Sequence, residues 1–485
     1  MNRKTLVLLL ALFASSISGN SQTNNNKSPE PVYPIPNKQQ MEWHEMETNA
    51  FIHFTTNTFT GLEWGYGDEK PAIFNPTALD TEQWARILKE TGFKTLILTT
   101  KHHDGFCLWP SKFTEHSVKN SPYKNGKGDV VKETVEATKK FGLKFGVYLS
   151  PWDRNFAEYG RPAYVEYYKN QAKELFENYG PVFEMWFDGA NGGDGYYGGA
   201  RETRKIDAKT YYKWPALREM IDKMQPGVLY FSDSGPGVRW VGNERGIAGL
   251  TNWNTISTDT LYAGKAGITD ILNTGAIDGK KWIPAEVDVS IRPGWFYHAH
   301  EDDKVKTPQQ LFDIYLSSVG RGSTLLLNIP PDQRGLFHEK DVESLRGYKK
   351  LLDTEFAKNI ALKAKVKADS FRGNSAQFAA KNLTDGNKET YWATNDGQLT
   401  GSFEVDLGKV STVKYVTLQE YIKLGQRVKK FSVEAWKDGK WTNVANGTTI
   451  GYKRILKIDP VQTSKIRVSI EDSKACPLIS NLEVY

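Results

Sequence analysis

Residues 93–149 carry the clearest indication of the fold. Two apolar runs, FKTLILTT at 93–100 and KFGVYL at 144–149, flank the segment VVKETVEATKKF at 130–141. The apolar runs are short and rich in β-branched and aromatic residues, which predicts buried strands. The apolar spacing of the middle segment predicts an amphipathic helix. A strand, a helix and a second strand in this order form a βαβ unit, in which the two strands lie parallel in one sheet.

The same alternation continues on both sides of this unit. It predicts strands at Ala50–Phe54, Val182–Asp188 and Val228–Phe231, helices at Thr81–Thr91, Ala163–Tyr179 and Tyr211–Met224, and looser units at Trp282–Val289, Pro308–Val319 and Ser323–Ile329. This number of strands favours an α/β fold of the (β/α)8-barrel type over an open, doubly wound sheet. No Gly-x-Gly-x-x-Gly follows the first strand, which also argues against a nucleotide-binding open sheet.

The helical periodicity of apolar residues ends near Ile360, and a strand-like pattern begins there. Short alternating runs separated by turn residues follow, such as Phe403–Leu407 and Phe431–Trp436. This pattern predicts an all-β sandwich. We therefore assign residues 41–358 to the barrel and residues 359–485 to the sandwich.

The N-terminus has the pattern of a secretory signal peptide. Arg3 and Lys4 precede an apolar run at 6–14, and small residues follow it. We predict a signal peptide at 1–22, a linker rich in Asn, Pro and Ser at 23–40, and export to the periplasm or the extracellular space. The apolar run is too short to span a membrane, and no other run of the chain could cross a bilayer.

Composition excludes several classes of protein. The chain has 63 Lys+Arg against 57 Asp+Glu, a formal charge of +6, which is too small an imbalance for a dedicated nucleic-acid binder of this size. Its two cysteines, Cys107 and Cys476, exclude a disulfide scaffold and a Cys-rich metal site. The 14 Trp, 23 Tyr and 23 Phe fit rings that stack on sugars, but they fit a large core equally well.

Catalytic side chains of a barrel lie at the C-terminal ends of its strands and in the loops that follow. The positions of this kind are His53, Lys101–Asp104, Tyr148–Trp152, Trp186–Asn191, Ser232–Ser234 and Glu286–Asp288. Aromatic rings, histidines and carboxyls are thus predicted to converge on one barrel mouth.

Two acids suggest a specific chemistry. Asp188 ends a predicted strand and is followed by a glycine that lets a substrate approach, although it could equally cap the next helix. Glu244 lies in a turn-rich loop predicted at 235–244, which could present a proton donor. Two such acids can perform glycoside hydrolysis, in which one attacks the anomeric carbon and the other protonates the leaving oxygen.

The adjacent histidines His102 and His103 do not predict a metal site. Neighbouring residues on a strand point to opposite sides, so both cannot easily bind one ion. The i, i+4 spacing of helical metal ligands is also absent. We interpret both rings as neutral hydrogen-bonding partners of sugar hydroxyls.

The chain resembles the α-L-fucosidases of glycoside hydrolase family 29 across residues 43–334. The resemblance rests on several segments taken together: Phe51–Phe54, Glu63–Gly65, Lys101–Phe106, Tyr148–Trp152 and Trp186–Gly189. The resemblance implies hydrolysis of terminal α-L-fucose with retention, on a barrel, without a metal or an organic cofactor.

Carried over to this sequence, the resemblance implies roles for individual residues. Asp188 is the implied nucleophile, and the implied fucose-binding residues are His53, Trp64, His102, His103, Tyr148 and Trp295. The stretch 239–244 resembles the acid/base region of the subgroup selective for branched α1,3- and α1,4-linked fucose. This resemblance implies that Glu244 is the acid/base. The stretch 291–296 also fits that subgroup. Glu286 is the alternative acid/base, because it also lies near a strand end.

The C-terminal segments 382–393 and 403–408 resemble the discoidin-like β-sandwich of carbohydrate-binding module 32. Such modules often bind glycans at their loop tips, and some hold a structural Ca²⁺. A purely structural appendage is an equally good interpretation.

The sequence therefore predicts a retaining exo-α-L-fucosidase that acts on α1,3/1,4-fucosylated, Lewis-type oligosaccharides or glycoconjugates. One alternative is a broader fucosidase that also accepts α1,2 linkages, and another is a non-catalytic fucose-binding lectin. The presence of both Asp188 and Glu244 argues against the lectin, since binding alone needs no pair of carboxyls. No nucleic acid or membrane partner is expected, and the oligomeric state is left open.

Overall fold

The computed structural model describes residues 27–485, and its first domain is a closed barrel of eight parallel strands. The strands follow one another around the barrel in sequence order: β1 (Thr48–Ile52), β2 (Thr95–Lys101), β3 (Lys144–Leu149), β4 (Glu184–Trp186), β5 (Leu229–Ser232), β6 (Val238–Trp240), β7 (Ala285–Ser290) and β8 (Thr324–Asn328). In the register, Met185 of β4 lies opposite Val147 and Tyr230 on its two neighbours. The predicted (β/α)8-type barrel is confirmed.

The helices follow the sequence pattern closely. They are α1 (Lys38–Met46), α2 (Thr81–Glu90), α3 (Val130–Phe141), α4 (Pro162–Asn178), α5 (Trp214–Met224), α6 (Pro308–Ser318) and α7 (Glu339–Glu355), with shorter helices at Asn57–Thr60 and Thr269–Thr274. Helices α2 and α3 each begin after an aspartate, Asp80 or Asp129, whose side chain accepts a backbone N–H of the first turn. Within residues 27–485, no helix combines the length and apolarity that crossing a bilayer requires.

One barrel strand was missed by the sequence interpretation. The segment 235–244, predicted as a turn-rich loop, contains β6, and Val238 and Arg239 of this strand are fully buried. The buried Arg239 guanidinium donates to the backbone carbonyl oxygens of Leu272, at 2.9 Å, and Trp253, at 3.0 Å. Burial lowers the pKa of Arg239 to about 9. An arginine that bonds to buried carbonyls has no local sequence signal, so the prediction of a loop was wrong at these residues.

The N-terminal prediction is only partly within the described residues. The predicted signal peptide lies outside them, and α1 begins at Lys38, inside the segment predicted as a linker. The preceding residues bond to the C-terminal domain: Arg372 Nε donates to the Lys27 carbonyl at 2.6 Å, and Arg427 Nη2 donates to that of Glu30 at 2.7 Å.

The second domain is a bent antiparallel sheet of seven strands around its own apolar core. Its strands are β9 (Lys365–Ala368), β10 (Trp392–Ala393), β11 (Gly401–Glu420), β12 (Val428–Lys437), β13 (Lys440–Gly447), β14 (Arg454–Ser473) and β15 (Leu478–Val484). Register shifts interrupt the pairing of the long strands β11 and β14, and such irregularities bend and twist a strand. The predicted all-β domain is confirmed.

The all-β domain packs against the N-terminal end of the barrel, away from the mouth. Lys453 bonds to Glu47, the residue before β1, and the Ile455 N–H donates at 2.9 Å to the carbonyl of Gly320, which precedes β8. Asn252 N also donates to Thr449 Oγ1 at 2.9 Å. These contacts lie where strands begin, whereas a barrel site lies where strands end.

Candidate active site

A cavity of about 440 Å³ opens at the C-terminal ends of the barrel strands. All eight residues that the sequence predicted for the site line it, and so do seven others; the predicted ones are His53, Trp64, His102, His103, Tyr148, Asp188, Glu244 and Trp295, and the others are Phe51, Trp186, Gly189, Ala190, Asp233, Trp240 and Asp288. Residues that are far apart in the chain are thus brought together by closure of the barrel.

Asp188 is held in the cavity by hydrogen bonds to both of its carboxyl oxygens. The Tyr148 hydroxyl donates to Oδ2 at 2.8 Å, and the backbone N–H of Ala190 donates to Oδ1 at 2.7 Å. His103 Nε2 lies 3.9 Å from Oδ2. Asp188 caps no helix, because its backbone partner lies two residues on and α5 begins only at Trp214. This arrangement fixes the orientation of the carboxylate in the cavity.

Gly189 leaves room for a second acid of the cavity. A Cβ at this position would overlap the Asp233 carboxyl, which would have to move. The Asp233 carboxyl also accepts the backbone N–H of Gly264 at 2.7 Å, which joins it to the loop before Thr269–Thr274. Burial and the charge of Asp188 raise the pKa of Asp233 to about 6, against the Gly264 hydrogen bond.

Glu244 lies on the loop after β6, at the open side of the cavity. Its Oε2 accepts the indole N–H of Trp295 at 3.3 Å. Partial desolvation raises the pKa of Glu244, and the nearby charges of Asp188 and Glu63 raise it further, while the Trp295 hydrogen bond opposes them. A carboxyl in this environment keeps its proton to higher pH than an ordinary glutamate, as a general acid requires.

The three histidines of the cavity are neutral. Burial is the largest cause of their low pKa values, which are about 3 for His53, about 4 for His103 and well below the ordinary value for His102. The bond between His103 Nδ1 and Ser150 Oγ, 2.7 Å long, assigns the proton to Nδ1, because the Ser150 hydroxyl donates to the Trp152 carbonyl. His103 Nε2 is therefore an acceptor toward the cavity.

His53 has the same tautomer for a similar reason. Its Nδ1 lies 2.8 Å from Asn328 Oδ1, and the amide nitrogen of Asn328 donates to Ser290 Oγ and to the Trp295 carbonyl. The amide oxygen must then accept the Nδ1 proton, so Nε2 of His53 also accepts. Both rings can receive a hydroxyl hydrogen from a sugar.

The structure corrects the argument about His102 and His103. Both residues follow the last residue of β2, Lys101, and their rings lie 4.1 Å apart between centroids in the same cavity. The strand alternation that would send them to opposite sides has ended by then. Across residues 27–485, no group of three or more His, Cys, Asp or Glu side chains could hold a metal ion.

Trp64 and Trp295 form part of the rim. Trp64 is 52% exposed and lies edge-on to His103, with 5.3 Å between the ring centroids. The backbone N–H of Trp295 donates to the Glu63 carboxyl at 2.7 Å, and His298 Nε2 lies 2.6 Å from the same carboxyl. Glu63, to which the sequence interpretation gave no role, therefore positions Trp295.

Glu286, the alternative acid/base, does not line the cavity. It is the second residue of β7 and fully buried inside the barrel, where its two oxygens accept the indole N–H groups of Trp186 at 2.9 Å and Trp43 at 3.1 Å. The buried carboxyl of Glu184 lies beside it, and burial raises the pKa of both acids. The prediction that Glu286 lies near the active end of its strand was wrong.

Asp233, Asp288, Trp186 and Trp240 complete the cavity wall without having been predicted as individual site residues. The two aspartates stand within ranges chosen only because they follow or end predicted strands. Trp240 ends β6, the strand that the sequence interpretation missed. For all four, the usable signal is their place on a barrel strand or directly after one, and not a motif of their own.

Comparison with known proteins gives the family. The family model described as "Alpha-L-fucosidase" matches residues 31–355, and that described as "F5/8 type C domain" matches residues 365–482. The chain belongs to the α-L-fucosidase family. It is a glycoside hydrolase with an α-L-fucosidase domain followed by a discoidin-like domain, and the lectin alternative has no support in these matches.

Several relatives match this chain across both of its domains. Alpha-L-fucosidase 1 of Arabidopsis thaliana is 40% identical over 490 residues, which cover 99% of this chain and 94% of the relative. The crystal structure of SpGH29 is 41% identical, with a TM-score of 0.88 over 94% of this chain and 99% of that one. A Ruminococcus gnavus GH29 fucosidase in complex with fucose is 35% identical, with a TM-score of 0.85 over 95% and 96%.

Proposed function

We propose that this α-L-fucosidase is a retaining exo-enzyme that releases terminal α1,3- or α1,4-linked L-fucose from branched, Lewis-type glycans by double displacement. The observation that carries the proposal is the pair of unlike acids in one cavity. Asp188 is oriented by the two hydrogen bonds that its carboxyl oxygens accept, whereas the environment of Glu244 raises the pKa of Glu244. Environments that separate the behaviour of two carboxyls assign one as the nucleophile and the other as the acid.

The proposed reaction has two steps. In the first, an Asp188 oxygen bonds to the anomeric carbon while Glu244 gives its proton to the departing glycosidic oxygen, which leaves as the alcohol. In the second, Glu244 takes a proton from water as the water oxygen bonds to the anomeric carbon and the Asp188–carbon bond breaks. The products are free fucose and the glycan alcohol, and both carboxyls return to their starting protonation states.

The neutral histidines support the fucosyl group as the occupant of the cavity. Nε2 of His53 and Nε2 of His103 are acceptors, so each can receive a ring hydroxyl without introducing charge. We propose that His102 and Tyr148 also contact the sugar, and that Trp64 and Trp295 supply flat apolar walls. No cofactor enters this reaction, because the two carboxyls supply both the nucleophile and the proton.

A leaving-group comparison tests the acid/base assignment. The substrates are an aryl α-L-fucoside with a good leaving group and a Lewis-type trisaccharide, and the matched variants are Glu244→Gln and Glu286→Gln. We expect Glu244→Gln to lower kcat/KM on the trisaccharide by about 10²–10⁴-fold and on the aryl fucoside far less, since a good leaving group needs little protonation. Glu286→Gln should affect both substrates equally, because that acid lies outside the cavity.

The same assay tests the linkage preference. Wild-type enzyme should release fucose from the branched α1,3/1,4 trisaccharide faster than from an unbranched α1,2-linked counterpart. Equal rates on both would favour the broad fucosidase, and a leaving-group effect in Glu286→Gln alone would contradict the role of Glu244.

We also propose that the chain is exported to the periplasm or beyond the cell, because residues 1–22 have the signal-peptide pattern. Cell fractionation followed by N-terminal sequencing tests this proposal. Protein found outside the cytoplasm with an N-terminus near residue 22 would support it, and protein retained in the cytoplasm with an intact Met1 would contradict it.

A further inference from the structure

Asp288 is a buried acid on the cavity wall that takes no part in the two proposed reaction steps. It is the fourth residue of β7, only 3% exposed, and it lines the cavity. Its Oδ1 accepts the indole N–H of Trp240 at 2.9 Å. Among residues 27–485, no side chain other than Trp240 donates to this carboxyl.

The surroundings of Asp288 disfavour a second negative charge. The cavity also contains the carboxyls of Asp188, Asp233 and Glu244, while no lysine or arginine of the described chain lines it. Burial and the charge of Glu244 raise the pKa of Asp288 well above its ordinary range. With acidic neighbours, no lysine or arginine in the cavity lining, and only its own backbone N–H and the Trp240 indole N–H to stabilise a negative charge, the Asp288 carboxyl is most stable with its proton. Because Oδ1 accepts the indole hydrogen, that proton belongs on Oδ2.

The cavity needs a donor of this kind. His53 and His103 present acceptor nitrogens, so a sugar hydroxyl that gives its hydrogen to either ring still has an oxygen that can accept a bond. An ionised carboxylate could only accept, whereas a protonated one can donate. A protonated Asp288 would therefore complement the histidines around a polyhydroxylated ring.

We propose that Asp288 is a specificity-determining residue that binds the fucosyl ring by donating a hydrogen bond from its carboxyl O–H to a ring hydroxyl oxygen. This inference rests on the proposed binding of the fucosyl group in this cavity. A sugar that lacks the hydroxyl leaves a buried donor unpaired, and sites built in this way reject such analogues. Asp288 takes no part in bond making or breaking.

The inference is tested with two variants and four substrates. Asp288→Asn keeps an oxygen for the Trp240 N–H and an amide N–H to donate into the cavity, whereas Asp288→Leu keeps the approximate size and loses both. Each protein is assayed for kcat/KM on an aryl α-L-fucoside and on its 2-, 3- and 4-deoxy analogues. Binding of L-fucose, measured as competitive inhibition, gives a second readout.

We expect Asp288→Asn to stay within about threefold of wild type, and Asp288→Leu to lose about tenfold on the parent fucoside, as for one buried hydrogen bond. On one of the three deoxy analogues the Leu variant should equal wild type, because the hydrogen bond is already absent. Comparing substrates within one variant cancels any loss of folded protein.

Three results would overturn the inference alone. Asp288→Asn as impaired as Asp288→Leu would mean that an ionised carboxylate is needed. A Leu penalty that is the same on every substrate would mean a structural role, and no penalty at all would mean no contact. A wild type that neither cleaves the parent fucoside nor is inhibited by L-fucose would instead overturn the proposed use of the cavity, and this inference with it.

Discussion

The hydrogen bond between Trp295 and Glu244 leads to a prediction about the pH dependence of catalysis. The Trp295 indole N–H donates to Glu244 Oε2 at 3.3 Å, and this bond favours the ionised form of the carboxyl. Trp295→Phe removes the donor and keeps an aromatic ring on the rim. The pKa of Glu244 should then rise, so Glu244 should stay protonated to higher pH.

The magnitude follows from the geometry of that bond. Hydrogen bonds to charged groups contribute about 1.5–3 kcal/mol, but this one is long and lies at the open side of the cavity, so we take about 1 kcal/mol. At about 1.36 kcal/mol per pKa unit, the pKa of Glu244 should rise by about 0.7. Activity needs Glu244 protonated in the first step, so the alkaline limb of kcat/KM should move up by that amount.

The assay is the pH profile of kcat/KM on a Lewis-type trisaccharide for wild type, Trp295→Phe and Trp64→Phe. Trp64 is the matched control, since its ring lies on the same rim and has no hydrogen bond to Glu244. Only Trp295→Phe should shift the alkaline limb, whatever its effect on the maximum rate. An alkaline limb that stays in place or moves to lower pH would contradict this prediction.

Three further predictions concern stability. Lys101 Nζ lies 3.0 Å from Asp153 Oδ2 in a fully buried ion pair, so Lys101→Met should lower the free energy of unfolding by about 3–5 kcal/mol and lower Tm. The double variant Lys101→Met, Asp153→Leu should recover much of that stability, because it leaves no unpaired buried charge. A double variant no more stable than Lys101→Met would contradict this prediction. Burial raises the pKa of Glu286 to about 7 from an ordinary value of 4.5, so the contribution of the protonated carboxyl to stability is full below about pH 4.5 and is lost as pH rises through 7. The fall in Tm between these pH values should therefore be smaller in Glu286→Gln than in wild type. An equal fall in both proteins would contradict this prediction. If the all-β domain holds a structural Ca²⁺, as some of the modules that it resembles do, EGTA should lower the Tm of the intact protein and added Ca²⁺ should restore it. An unchanged Tm would show that no such ion supports the fold.

Strands and helices were predictable where the signal is local. Helix α3 and strand β3 have the predicted bounds, because apolar periodicity and an N-cap aspartate act over a few residues. Strand β6 was not predictable. Its three residues include Arg239, and the carbonyl groups that bind this guanidinium come from distant parts of the chain. A polar residue with distant partners looks like a loop residue in the sequence.

Spacing along the chain predicts the order of strands and helices, the domain boundary near Ile360, and the segments that carry Asp188, Glu244 and the histidines. These features are local, so they can be predicted without the tertiary structure. The depth of a side chain inside the barrel cannot be predicted in this way. Glu286 and Asp288 both point inward from β7, because residues two apart share a face, yet one lies beneath Trp186 and the other lines the cavity. Only closure of the barrel and packing of Trp186 decided which carboxyl faces the substrate, and which two acids share a cavity.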